Sequence, residues 1–199
     1  MNEAVGDARV TKRRTIEALH LLFDGVHVFH ACKPVDISSY YEKGLLLSNS
    51  DSIDRLASAS FLGSNPTDDQ LRSFEDTKAK IGKRDDGKLW VSLDHRALKR
   101  HGGHFSSYGS ERQYCLATNM VGDISHYKQE LTRSGTPTIF HARIRWDLLS
   151  DATVERLAQR VAQNLRRVSP ADEVPQTIFD MVLNQAIPPT DILDHWTPE

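Results

Sequence analysis

The segment TPTIFHARIRWD, residues 136–147, alternates between apolar and polar side chains. The apolar side chains are at even-numbered positions (Phe140, Ala142, Ile144 and Trp146). The polar ones are at odd-numbered positions (His141, Arg143, Arg145 and Asp147). A repeat of two residues matches a strand, in which successive side chains point to opposite faces of the sheet. The pattern therefore predicts a half-buried strand, and with it a sheet that has one face covered by other parts of the chain.

A helical repeat follows this strand. After Ser150, apolar side chains recur at intervals typical of one helix face: Val154, Leu157, Val161, Leu165 and Val168. This spacing predicts an amphipathic helix whose apolar stripe packs on a core. A second helical repeat spans about 11–24 and stops at Gly25, before the strand-like run VHVFHA.

Local signals divide the remaining chain into further helices and strands. Capping-box patterns at Thr67 and Ser110 predict helix starts, and residues 52–62 form another short helical pattern. The runs KLWVSLD and TIFDMVLN are typical of strands. The predicted strands are too scattered in sequence for a hairpin sandwich, so the predicted fold class is α+β.

Two segments carry weaker signals. HRALKRHGGHFSS is interpreted as a short turn of helix followed by a glycine-rich loop, and IPPTDIL as an exit held by prolines. The pairing order of the strands does not follow from these patterns.

Length and charge narrow the class of protein. A chain of 199 residues suits a single domain, 1–199, in which the helix at about 11–24 precedes the core. Lys and Arg number 25 against 27 Asp and Glu, a formal net charge of −2. Domains that bind nucleic-acid backbones are usually clearly basic, so this balance disfavours them.

The expected location is the reducing cytoplasm. Two cysteines are too few for a disulfide framework, and the first ten residues lack the apolar run of a signal peptide. No apolar stretch approaches the roughly 20 residues that span a bilayer, so no membrane partner is expected.

Metal and cysteine chemistry are weakly indicated. His101 and His104 supply two ligands, which are too few for a structural zinc site. His27 and His30 are three residues apart and point to opposite faces of a strand. Cys32 follows His30 by two residues, but without an identified orienting group it is interpreted as a buried, inert thiol. No metal is therefore expected.

The stretch VFHACKPVDISSYYEKGLLLSN, residues 28–49, joins a strand to a short helix. Pro34 marks the turn, Asp36 is the predicted N-cap, and Gly44 ends the helix. These features need no ligand. They leave one feature without a structural explanation, namely His30 at the end of an apolar strand with the small residue Ala31 after it.

The motif FHA followed by DISSYYEKGLL, with the later IPPTDIL, resembles the His-type branch of the ADP-ribosyltransferase superfamily. That branch includes diphtheria-toxin-like, poly-ADP-ribose-polymerase-like and DarT-like enzymes and the RNA 2'-phosphotransferases. The resemblance is strongest over 28–47, weaker over 89–117, and loose over 137–144 and 179–192. It implies split sheets flanked by helices, with a catalytic-like core over about 26–195.

The resemblance also implies NAD as a substrate. Loss of nicotinamide builds positive charge on a ribose, as in glycoside hydrolysis, and a nearby carboxylate stabilises that charge. In the family this carboxylate is a glutamate on or beside a strand, a histidine binds a ribose, and an aromatic ring packs on nicotinamide. The implied site residues of this chain are His30, Ala31 and Gly44, then Ser92, Tyr108 and Glu111.

Each implied role has a plainer alternative. The resemblance implies the carboxylate role for Glu111 and the stacking role for Tyr108. At a spacing of three the two would share a face if the segment is helical. Glu111 would equally stabilise a helix N-terminus, and Tyr108 would equally pack under a loop. The backbone of Ala31 would bind the nicotinamide amide, and Ser92 would supply a polar contact in the cleft.

Three functions follow as hypotheses. The first is transfer of ADP-ribose to an unknown protein or nucleic-acid target, with a toxin or a defence enzyme as the candidate context. The second is an RNA 2'-phosphotransferase-like enzyme, for which Arg143 and Arg145 on one side of a strand are the candidate phosphate ligands. The third is an interaction module without enzymatic activity, which would not bind NAD.

Overall fold

The computed structural model describes residues 13–101, 103–165 and 180–198. In this part of the chain the strands form a five-stranded antiparallel sheet in the order β4-β2-β1-β3-β5. Its strands are β1 (Gly25–Cys32), β2 (Leu89–Ser92), β3 (Thr138–Arg145), β4 (Asp180–Leu183) and β5 (Ile192–Trp196). Helices lie between the strands, so the predicted α+β class is confirmed.

The alternating segment forms β3, an inner strand of the sheet between β1 and β5. Its apolar side chains Phe140, Ala142 and Ile144 are completely buried, and His141 and Arg143 occupy the opposite face. Phe140 pairs with His30 of β1, and Ala142 with Val28. Directly paired residues share a sheet face, so His30 lies on the covered face.

The helices follow the predicted capping signals closely. They are α1 (residues 13–22), α2 (Ser38–Lys43), α3 (Ser50–Leu62), α4 (Asp68–Ile81), α5 (His95–His101), α6 (Gly103–Tyr108), α7 (Glu111–Asn119), α8 (Ile124–Arg133) and α9 (Asp151–Leu165). Thr67 and Ser110 each form the expected capping box, and Gly44 and Gly82 follow the ends of α2 and α4. Short 3₁₀ helices span Trp146–Leu148 and Pro189–Asp191.

Parts of the predicted first and ninth helices and of the predicted last strand lie outside the described residues. These parts are residues 11–12, 166–168 and 177–179. Within the described residues, α1 ends at residue 22, and Gly25 is already the first residue of β1. Asp36 is not the N-cap of α2, because Ile37 occupies that position. The Asp36 carboxylate instead accepts hydrogen bonds from the backbone and hydroxyl of Ser38.

Two weakly signalled segments have more regular structure than predicted. The predicted glycine-rich loop after α5 belongs to α6. The predicted exit contains a 3₁₀ helix and then β5, which pairs with β3 through Ile139 and Trp196. The sequence patterns also gave no indication of α8, which buries Tyr127 and Leu131. In each case the decisive contacts are with distant parts of the chain, which a local pattern does not contain.

Two groups of buried apolar side chains stabilise the fold. The sheet core includes Val28, Leu45, Val91, Phe140 and Ile144 and lies on the covered face of the sheet. The helical core joins α3, α4, α7 and α8 through side chains that include Phe61, Phe74, Leu116, Tyr127 and Leu131. The candidate site lies where β1 approaches the elements of the helical core.

The sheet is continuous but unevenly connected. We expected separate sheets, whereas the described strands form one sheet. Eight residue pairs align β1 with β3 and four align β2 with β4, but β1 and β2 align only through Phe29 and Ser92. The sheet therefore consists of two well-paired parts, β4–β2 and β1–β3–β5, with a narrow junction between them. Within the described residues, no helix has the length and apolar character needed to cross a bilayer.

Candidate functional site

A cavity of about 1220 Å³ opens beside the end of β1. Its walls come from β1, α2, the start of α3, β2 and the connection between α6 and α7. This volume exceeds the roughly 300–1,000 Å³ that is usual for small-ligand pockets. The cavity therefore has the size needed for a large ligand such as a dinucleotide.

The cavity brings together most of the residues singled out from the sequence. His30, Ala31, Gly44, Tyr108 and Glu111 all line it. They come from the end of β1, the end of α2, and the junction of α6 and α7. Residues far apart in the chain therefore line the same cavity.

Ser92 is located elsewhere. Its side chain is completely buried, and its hydroxyl lies 3.4 Å from the backbone oxygen and nitrogen of Asp94. This is the local hydrogen bonding with which serine satisfies a nearby backbone group. Ser92 therefore does not line the cavity, and its expected polar contact with a ligand has no geometric support.

His30 has a defined orientation. Its Nδ1 lies 2.8 Å from the carbonyl oxygen of Trp90 on β2. A carbonyl oxygen only accepts hydrogen bonds, so Nδ1 must carry the hydrogen. Burial lowers the pKa of His30, and the bond to Trp90 opposes this more weakly. The ring is therefore neutral at pH 7, with the accepting lone pair on Nε2, which suits a ligand hydroxyl.

The junction between β1 and β2 explains why a cavity exists at this place. Phe29 and Ser92 are the aligned pair, and the chain then continues through His30 and Ala31 without further registered pairing to β2 among the described residues. Ala31, which pairs with Ile139 of β3, lines the cavity where β1 and β2 are no longer paired.

Position 44, on the cavity wall, requires glycine for a steric reason. Its φ of 84° is unfavourable for side chains, and a Cβ would lie 2.2 Å from the carbonyl oxygen of Ile187. The neighbouring Leu45 forms an isolated bridge with Ile187. Close approach of two backbones accounts for this glycine without a ligand.

Tyr108 and Glu111 are not on one helix, contrary to the expectation from their spacing. Tyr108 ends α6 and Glu111 begins α7, with Gly109 at φ 87° and the N-cap Ser110 between them. The Tyr108 ring stacks on Tyr114 with centroids 5.2 Å apart. Glu111 accepts a weak hydrogen bond from the Cys115 thiol at 3.5 Å. Both side chains have protein contacts of their own as well as a place on the cavity wall.

Two further residues on the cavity wall were not identified from the sequence. Trp90 lies on β2 with 48% of its surface exposed, and Asp180 is the first residue of β4. Asp180 pairs with Ser92, which pairs with Phe29. Since neighbouring strands are about 4.8 Å apart, the Cα of Asp180 is roughly 10 Å from that of Phe29. The alternation in LWVS separates Trp90 from the buried Leu89 and Val91 and places it, with Asp180, on the sheet face of Phe29 rather than that of His30. Both residues nevertheless line the cavity, and only strand pairing brings Asp180 to this junction.

The cysteine on this wall is not an activated nucleophile. Burial raises the pKa of the Cys32 thiol to about 12, and a hydrogen bond with Tyr40 only partly opposes this. The reactive form of cysteine is the thiolate, which is negligible at pH 7 under these conditions. The cavity chemistry therefore depends on other side chains.

The opposite sheet face carries a second histidine contact. His27 Nδ1 lies 2.8 Å from His141 Nε2, and Phe29 stacks on the His141 ring. Such a bond needs an N–H on one ring and a lone pair on the other. Among the described residues, no group of three or more His, Cys, Asp or Glu is arranged to hold a metal ion.

The two histidine environments predict loss of stability in acid. Burial lowers the pKa of both His30 and His141 below the ordinary 6.5, and the charge of His27 lowers that of His141 further. Asp194 raises the pKa of His141, and His95 lowers it, without reversing the direction. Below pH 6.5 the unfolded chain binds more protons at these sites, so the free energy of unfolding should fall as the pH decreases.

Urea unfolding between about pH 7.5 and pH 5.5 measures this effect. His141→Gln and His30→Gln should each flatten the pH dependence. His126→Gln, on the exposed surface of α8, is the matched control and should leave it unchanged. Equal pH dependence in all four proteins would contradict the prediction.

Comparisons with protein-family models, curated proteins and solved structures gave no match. The interpretation of the site therefore depends on its own geometry. That geometry combines an oriented neutral histidine, an exposed tryptophan and carboxylates on the wall of one large cavity.

Proposed function

We propose that this chain is an NAD-dependent ADP-ribosyltransferase whose target is a protein or a nucleic acid. The observation that carries the proposal is the His30–Trp90 hydrogen bond at the edge of the cavity. It presents Nε2 of a neutral imidazole as an acceptor, as binding of a ribose hydroxyl requires. The narrow junction between the two parts of the sheet supports the split-sheet arrangement implied by the resemblance.

NAD binding is proposed to use three neighbouring groups. His30 Nε2 accepts a hydrogen bond from a ribose hydroxyl, and the backbone of Ala31 binds the nicotinamide amide. Trp90 is exposed on the cavity wall and offers a ring for offset stacking, worth about 1 kcal/mol beyond area burial. Trp90 is better suited to this role than Tyr108, whose ring already stacks on Tyr114.

The reaction then proceeds at the ribose. The bond between the ribose carbon and the nicotinamide nitrogen breaks, and nicotinamide leaves with the electron pair. A carboxylate stabilises the resulting oxocarbenium-like state until the target nucleophile attacks the same carbon. We assign this role to Asp180 before Glu111. Asp180 lies on a strand that pairs with the strand of Trp90, whereas Glu111 caps a helix and contacts Cys115.

The RNA 2'-phosphotransferase alternative has less support. Arg143 pairs with Asp24 and Asp191, and Arg145 pairs with Asp147. Neither arginine lines the cavity. The cations expected to bind an RNA phosphate are therefore already paired with carboxylates and lie outside the cavity.

The test measures NAD binding by calorimetry and nicotinamide release from NAD in the presence of candidate targets. The wild-type protein should bind NAD and release nicotinamide. His30→Ala should weaken NAD binding about tenfold, the effect of losing one hydrogen bond of about 1.4 kcal/mol. His126→Ala is the control for loss of an exposed histidine.

Absence of NAD binding at millimolar concentration would refute the proposal and favour an interaction module. Binding without nicotinamide release from any target would favour a binding protein of the same shape. Equal binding and release by the wild type and His30→Ala would reject the assigned site.

A further inference from the structure

The two parts of the fold that form the cavity are joined beside it by Lys33. This residue follows the last residue of β1, three positions after His30. Its Nζ donates to the carbonyl oxygens of Leu131 at 2.8 Å and Ser107 at 3.2 Å, and also to that of Thr132. Leu131 and Thr132 are in the last turn of α8, and Ser107 is near the end of α6.

The ammonium group of Lys33 and the carbonyl groups at the helix ends are chemically complementary. An ammonium group has three N–H donors and accepts no hydrogen bonds. The last carbonyls of a helix have no partner within the helix and carry partial negative charge. One half-buried cation therefore satisfies carbonyls at two helix ends that would otherwise need other partners.

The backbone around Lys33 is packed closely against the same region. The amide of Thr136 donates to the carbonyl of Pro34 at 2.9 Å. At Gly135, which has φ 74°, a Cβ would lie 2.5 Å from the carbonyl oxygen of Lys33. The chain after α8 thus contacts the backbone that carries Lys33. This contact fixes the position of the lysine backbone next to the end of α8.

The position of these contacts matters for the cavity. α6 and α7 carry Tyr108 and Glu111, and α6 and α8 pack against α7. β1 carries His30 and Ala31, which line the same cavity, and Lys33 lines it too. A link between the end of β1 and the ends of α6 and α8 therefore connects the parts of the chain that carry these lining residues.

We propose that Lys33 is a positioning residue that sets the width of this cavity by holding the ends of α6 and α8 against β1. Its effect on NAD rests on the proposed function. Without the ammonium group, the wall formed by α6 and α7 would move relative to His30. NAD binding would weaken, while the bond-breaking step after binding would change much less.

The experiment compares Lys33→Met with the wild type and with Lys80→Met, which removes an exposed lysine of α4. Hydrogen exchange of the folded proteins is measured first, without any ligand. In Lys33→Met, amides in segments 105–109 and 131–136 should exchange about tenfold faster or more, with those of α4 unchanged. KM for NAD should then rise about tenfold, with kcat altered less than about threefold.

If Lys33→Met does not fold, Lys33→Arg provides the second variant. It keeps the charge but replaces three donors at one nitrogen with a planar fork, so it should show the same changes to a smaller extent. Unchanged exchange in both segments would overturn the proposal. Faster exchange with an unchanged KM would also overturn it, because Lys33 would then be merely structural.

The two proposals fail in different ways. A wild-type protein that neither binds nor cleaves NAD would refute the proposed function. The exchange pattern, which needs no NAD, would still decide whether Lys33 holds this wall in position.

Discussion

Replacing Arg112 by methionine is expected to lower the free energy of unfolding by about 3 kcal/mol, the low end of the range for breaking a buried ion pair. Arg112 of α7 bonds to both carboxylate oxygens of Asp54 on α3, at 2.5 and 2.8 Å. Both side chains are only 8% exposed. The variant leaves a buried carboxylate without its cation, which is the costly arrangement.

The effect should extend to the end of α4. Arg112 also donates to the carbonyl oxygen of Gly82, which follows α4. One guanidinium therefore connects three helices of the helical core, and its loss leaves two acceptors without their donor. Urea unfolding followed by circular dichroism measures the change in free energy.

Two control variants separate charge burial from charge loss. Lys83→Met removes the exposed partner of Asp51 and should leave the unfolding midpoint nearly unchanged. The double variant Asp54→Leu with Arg112→Met removes both buried charges and should recover most of the lost stability, because the lone carboxylate is gone. A double variant as unstable as Arg112→Met would show that the contacts of Arg112, rather than the ion pair, stabilise the fold.

The second large effect concerns catalysis. Asp180→Asn should lower kcat for nicotinamide release by about 10²–10³, the usual effect of removing one group that stabilises transition-state charge. The substitution keeps the shape of the side chain and removes its charge. NAD affinity should change little, because the ribose becomes positive only as nicotinamide leaves.

Glu111→Gln is the decisive comparison, because Glu111 lines the same cavity. It should retain kcat within about tenfold of the wild type if Asp180 is the carboxylate. Asp194→Asn, on the exposed edge strand β5, is the control for charge loss and should be fully active. A large loss in Glu111→Gln with an active Asp180→Asn would return the role to Glu111, as the family resemblance first implied.

The elements with strong local signals could be predicted from the sequence. The alternation around Phe140 predicts β3, and the capping residues Thr67 and Ser110 predict the starts of α4 and α7. These signals depend on backbone geometry and on hydrogen bonds within a few residues. Because these interactions involve residues close together in the chain, the sequence alone is enough to predict them.

Elements that depend on distant partners were missed. β5 exists because its backbone pairs with β3, and α8 because Tyr127 and Leu131 complete the helical core. The two prolines before β5 favoured its interpretation as an exit. The partner strand of β5 is distant in sequence, so no local window contains that pairing, and α8 packs on the distant α3 as well as on the preceding α7.

The candidate site divides in the same way. The sequence alone specified His30 at a strand end, the small Ala31 and the stop at Gly44, because each depends on neighbouring residues. The capping box at Ser110 already predicted a helix start between Tyr108 and Glu111, and the structure showed that Tyr108 ends a separate helix, α6. Helical spacing has meaning only while one helix continues, and a glycine at positive φ ends it.

Strand pairing contributed the rest of the site. It buried Ser92, turned the carbonyl of Trp90 to His30, and brought Asp180 to the same junction. Trp90 and Asp180 are 90 residues apart in the chain, by their numbers, yet they lie on neighbouring strands, with Trp90 two residues from Ser92, the partner of Asp180. The periodicity of the sequence predicts where the strands are. The order in which the strands pair depends on long-range contacts across the fold.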